Sequence, residues 1–113
     1  MSNTEKIAAI DKYIEIITHA RARPEMHFQP IDPVIVDHYL NALRTGIRVW
    51  GGIFMSPEHR ETALHRRGLE LTAMSETPFF EQRGLSPTEI VDELLAIEIE
   101  NWQAHRDALA EST

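Results

Sequence analysis

Apolar residues recur at helical spacing along nearly the whole chain. Ile7, Ile10, Ile14 and Ile17 stand three or four positions apart with Tyr13 beside them, and Asp11, Lys12, Glu15 and His19 fall on the opposite side. This pattern predicts a first helix from about Thr4 to Ala22, stopped by Pro24. Residues 24–33 form a connector punctuated by Pro24, Pro30 and Pro33. Asp32 can cap the next helix, with Pro33 at its first position, where a missing N–H costs nothing. That helix carries Ile35, Val36, Tyr39, Leu40, Leu43, Ile47 and Trp50 on one face, and Gly51–Gly52 end it.

Ser56–Pro57 opens a short third helix that runs to about Arg67 and is closed by Gly68. Thr77 to Gly84 reads as one or two further helical turns with Thr77 as cap. Leu69–Ser75 has strand-like composition but no partner strand of matching character. The last helix starts at Ser86, with Pro87 at its first position and Glu89 placed to close a capping box. On a wheel at about 100° per residue, Ile90, Val91, Leu94, Leu95, Ile97, Ile99 and Trp102 cover an arc of roughly 200°. So wide an arc implies a central helix covered by two neighbours, or one shared with a second subunit. The expected fold is all-α: a small helical bundle of about four main helices plus one short helix, the long acidic C-terminal helix being its spine. Residues 1–113 are expected to form a single all-α domain.

The run from Gly84 to Leu95 resembles the first helix of many DNA-binding helix-turn-helix modules. That resemblance implies a turn and a basic second helix. The chain instead continues from Leu95 to Trp102 without a breaker, and residues 86–113 hold seven acids against Arg106, a net charge of −6. The whole chain carries −7, so almost all of its excess charge lies on this element. Nucleic acid and anionic membranes are therefore not expected as partners. A second, eight-residue stretch, Arg21–Phe28, resembles the Arg-Pro-Gly-Met-Tyr segment of gyrase-type ATPase domains. The glycine and tyrosine are replaced and no nucleotide motif follows, so it reads as a helix-to-loop device.

The chain has no cysteine, which removes disulfides and thiolate chemistry and fits a reducing compartment. No apolar run approaches the ~20 residues of a membrane span, and residues 1–6 do not look like a secretory signal, so a cytoplasmic location is expected. Six histidines invite a metal reading, but no His-x3-His, His-Glu-x-x-His or paired Glu-x-x-His spacing occurs, and neither a metal site nor a cofactor is expected. No serine sits in a nucleophile motif and no glycine loop suits a phosphate, so no catalytic residues are assigned.

Three groups of residues remain as candidates. Glu98 falls in the middle of the apolar arc of the last helix, with Asn101 and His105 on the same stripe. A carboxylate there needs a partner, for which His105, Arg44, Arg48 and Arg83 are the candidates. The polar face carries Asp92, Glu93, Glu100 and Asp107, with Trp102 near its edge, a pattern suited to a protein contact. Arg60, Arg66 and Arg67 make the third helix basic, which suits its dipole, an acidic partner, or docking on the acidic last helix.

Two functions follow as expectations. The first is a small acidic protein of bacterial type, acting by protein–protein interaction or self-association in the manner of an immunity, antitoxin or inhibitor protein, with a homodimer through the C-terminal helix as one form. The alternative is a small-molecule-binding or enzymatic bundle with a polar core pocket around Glu98, Asn101 and His105. A cavity of a few hundred cubic ångströms reaching Glu98 separates the second from the first.

Overall fold

The computed structural model describes residues 2–69 and 76–112. It is an all-α bundle, and no strand occurs among the described residues. The strand-like stretch Leu69–Ser75 lies outside them except for Leu69, which is buried.

Local signals set most helix ends. Helix α1 (Asn3–Ala22) begins one residue before the expected start, because Ser2 and Glu5 form a capping box that sequence reading missed. A single 3-10 turn, Pro24–Met26, follows. Helix α2 (Pro33–Gly51) is capped by Asp32, whose carboxylate accepts the Val34 N–H at 2.8 Å. It stops at Gly52, whose φ of 61° lies in the left-handed region that glycine adopts without strain. Helix α3 spans Pro57–Arg66. Helix α4 (Glu76–Gln82) starts ahead of Thr77, which therefore sits in its first turn instead of capping it. Helix α5 (Pro87–Glu111) opens with the Ser86–Glu89 capping box.

Helix α5 is the spine. Nine of its side chains are buried, namely Ile90, Val91, Leu94, Leu95, Ala96, Ile97, Glu98, Asn101 and Trp102. Helix α1 packs along it most extensively, and α3, α2 and α4 cover the rest. The wide apolar arc is thus buried within the chain itself, and it needs no second subunit to cover it. Ile10, Tyr13 and Ile17 of α1, Val36 and Leu40 of α2, Ala63 and Leu64 of α3, and Phe79 and Phe80 of α4 join this one core.

Helix α2 is covered unevenly. Val36 and Leu40 are buried and Leu43 and Ile47 half-buried, yet Trp50 on the same stripe is 88% exposed. Val34, Val49 and Phe54 are exposed nearby. The connector before α2 is pinned to α1 by His19 and His27, whose Nδ1 and Nε2 atoms lie 2.7 Å apart.

Candidate functional site

Glu98 is 1% exposed, and its carboxylate is the hub of the core's polar contacts. The Tyr13 hydroxyl donates to Oε2 at 2.8 Å, and the Trp102 indole N–H donates to the same oxygen at 2.8 Å. Arg44 closes the set with two guanidinium nitrogens, Nε donating to Oε2 at 2.9 Å and Nη2 to Oε1 at 2.5 Å. These donors come from three helices. Each element brings one because Tyr13, Arg44 and Trp102 all face the seam where α1, α2 and α5 meet. Desolvating two charges is repaid only when the remaining lone pairs are also bonded, as they are here. Asn41 on α2 accepts from Arg44 Nη1 at 3.0 Å, so the arginine is itself held in place.

The hub changes its neighbours' acidity. Burial, and then the Glu98 charge, push the Tyr13 phenol far above its ordinary value. Burial works against the Arg44 charge, but the Glu98 contacts outweigh it and hold its pKa above the usual arginine value. Tyr13 therefore stays a neutral donor and Arg44 a fixed cation.

Asn101 is buried one turn further along α5. Its amide NH2 is satisfied when turned toward the carbonyls of His59 and Ile97, each 3.2 Å away. His105 lies another turn on, half-buried, with its ring 5.5 Å from that of His59 and 5.9 Å from that of Trp102. Burial, then the nearby His59, hold its pKa below the ordinary histidine value. The three residues do form one stripe, but they do not share one site.

A cavity of about 570 Å³ opens beside the hub, between the C-terminal half of α2, the connector 52–56 and the start of α3. Glu98, Asn101 and Trp102 form its floor, and His105 is not part of its lining. Arg44, Arg48 and Arg60 stand in its walls with Glu61, and Ile53, Phe54 and Met55 supply an apolar side. Arg48 makes no ion pair among the described residues, whereas Arg60 meets Glu76 at the periphery. Arg60 is held below the ordinary arginine pKa by burial and then by repulsion from Arg44. Sequence reading missed Arg48 as a wall residue and the connector as a lining element. Neither has a local signature, since both depend on how α2 and α3 converge.

The acidic face is placed differently from the surface expected for a partner. Asp92 bonds Arg21 at 2.9 Å, Glu93 accepts from Arg67 at 2.7 Å, and Glu100 is bonded to both Arg66 and Arg67. Asp107 accepts from Gln103 and lies 3.8 Å from Arg106, which also reaches Asp11 at 2.8 Å. Bonding to Arg67 holds the Glu100 carboxyl below its usual range. Trp102, expected at the rim of this face, is 2% exposed and points into the core, where its ring lies 4.9 Å from that of Tyr13. Of the basic residues of α3, Arg66 and Arg67 therefore dock on α5, and Arg60 turns to the cavity.

Among the described residues no group of three or more His, Asp or Glu side chains gathers as metal ligands, and no helix is long and apolar enough to cross a membrane. No protein-family model, no curated protein and no solved structure matches this chain.

Proposed function

We propose that the protein binds a small molecule in the cavity beside Glu98. The observation that carries this reading is the cavity itself: about 570 Å³, floored by a fully bonded polar hub and walled by apolar and cationic side chains. Its size falls within the range of roughly 300–1,000 Å³ typical of ligand sites. A floor already saturated with hydrogen bonds is rigid, so a ligand meets a shaped surface without having to order it first. The lining includes the Thr45 and Ser56 hydroxyls but no histidine to activate them, which favours binding over catalysis. The test is a thermal-shift screen of small organic acids, amides and amines with the intact protein. Stabilisation by any class, abolished when Met55→Trp fills the cavity, supports the reading. A screen with no stabilising compound sinks it.

A second reading rests on a separate observation. The outer face of α2 carries Val34, Ile35, Ala42, Gly46 and Val49, with His38 and Thr45 between them and no Asp, Glu, Lys or Arg, and Trp50 and Phe54 stand exposed at its end. In a chain where 26% of residues are charged, such a face suits contact with a second copy, since identical copies then meet without like charges in apposition. On this reading a second copy meets α2 and not the C-terminal helix. Sedimentation at rising concentration, with Val49→Glu as the disrupting variant, tests it. A monomer at every concentration rules it out.

A further inference from the structure

We infer that the ligand of this cavity is a monoanionic carboxylic acid with an apolar body, its carboxylate held by Arg48 and Arg60. This rests on the binding reading above and narrows it to a chemical class.

The inference starts from what the floor can no longer offer. Both oxygens of Glu98 are occupied: Oε2 accepts from Tyr13, Trp102 and Arg44 Nε, and Oε1 from Arg44 Nη2 at 2.5 Å and Nε at 3.1 Å. An incoming ammonium group therefore finds no free acceptor on Glu98. The Trp102 indole N–H is spent on the same carboxylate. The walls are the reverse case. Arg48 has no ion-pair partner among the described residues, and Glu76 takes only one nitrogen of Arg60, leaving further donors on that guanidinium. Planar guanidinium groups on two helices that face one cavity match the geometry of a carboxylate.

Two other features limit the ligand. The lining holds Arg44, Arg48 and Arg60 against Glu61 and Glu98, a net charge of +1, so one negative charge on the ligand is balanced and a dianion is disfavoured. Ile53, Phe54, Met55 and Pro57 make one side of the cavity apolar, leaving room for a hydrocarbon or aromatic body between them and Trp102. Phe54 is 70% exposed on this side, where an apolar guest would cover it.

The experiment compares matched probes on the intact protein: 4-phenylbutyrate and octanoate, their neutral amides, and 4-phenylbutylamine. Affinities are read by calorimetry and by the emission of Trp102 in a Trp50→Phe background, which leaves one tryptophan. The acids are expected to bind about ten-fold or more tighter than their amides, with affinity falling as salt rises. Arg48→Gln is expected to remove most of that preference while leaving amide affinity within about two-fold. Arg60→Gln gives a second, independent loss if Arg48→Gln alters the fold. Amides or the amine binding as well as the acids overturns the anion inference and leaves the cavity reading standing. No binding by any probe overturns both.

Discussion

Tyr13 and Glu98 stand 85 residues apart in the chain, and the phenol hydroxyl of the first donates to the carboxylate of the second across 2.8 Å. Through that bond the first and last helices share the same buried charge that Arg44 neutralises from α2. The contact joins fold and site, since the carboxylate that ties three helices together is also the floor of the cavity.

Removing the charge at the hub is the most direct test of it. Glu98→Gln leaves Arg44 facing an amide, and some of the donors now directed at Glu98 lose their acceptor. Breaking a fully buried pair costs about 3–5 kcal/mol, but the Arg44 side chain is 41% exposed and water screens part of the loss. We predict a destabilisation of about 2 kcal/mol, or roughly 10 °C in Tm. Denaturant melts check it, and an Arg44→Met/Glu98→Gln double variant is expected to recover part of the loss.

Tyr13→Phe keeps the ring packed against Trp102 and deletes one donor. A cost of about 1 kcal/mol is expected, with cavity binding retained. A loss near zero means that the hydroxyl contributes nothing to the hub.

The two tryptophans give opposite expectations. Trp102→Ala empties part of the core and removes a donor to Glu98, so about 3–5 kcal/mol is expected. Trp50→Ser changes a side chain that is 88% exposed, and stability is expected to move by less than about 0.5 kcal/mol. Urea midpoints of the two variants side by side decide it.

The pH profile follows from three shifted groups. His105 is held below its ordinary value, so its contribution is full above about pH 6.5 and is lost as the pH falls below that. Glu100 is held below its ordinary value of 4.5, so its contribution persists to about that pH and is lost on further acidification. Tyr13 is raised, so its contribution is full below about pH 10 and is lost above it. Stability is therefore expected to be flat from about pH 7 to 9 and to fall in steps on either side. The tyrosine absorbance change should coincide with alkaline unfolding instead of preceding it, because burial raises Tyr39 as well. A normal titration near pH 10 in the folded protein contradicts this.

Much of the framework was legible because its signals are local. Ser86, Pro87 and Glu89 lie within one turn, and so do Asp32 and Pro33, so propensity and capping chemistry place these helix starts without tertiary help. The position of Glu98 on an apolar arc follows from its spacing, and Arg44 was among the residues named as its partners. Its other donors were hidden, because Tyr13 reads as one more apolar position and Trp102 as the edge of a charged face. An indole is mostly hydrocarbon with one N–H, so its environment is set by what packs on it. A polar pocket at Glu98 and Asn101 was one of the two expectations, but the cavity's walls lay beyond reach, because they depend on how α2 and α3 converge and no residue marks a gap. Docking of Arg66 and Arg67 on the acidic face was one of the options that their charge suggested, but the pairing of Asp92 with Arg21 depends on which helix comes to lie beside it.

The pairing of α1 with α5 also governs when the molecule can be made. The spine is synthesised after every helix that packs on it, so Ile10, Tyr13 and Ile17 emerge from the ribosome long before the surface that buries them. Helices α1 to α3 have no core of their own to close on in the meantime. Folding is thus expected to be a late event that waits on the packing of α1 against α5, with apolar stripes exposed to chaperones until Trp102 has been released.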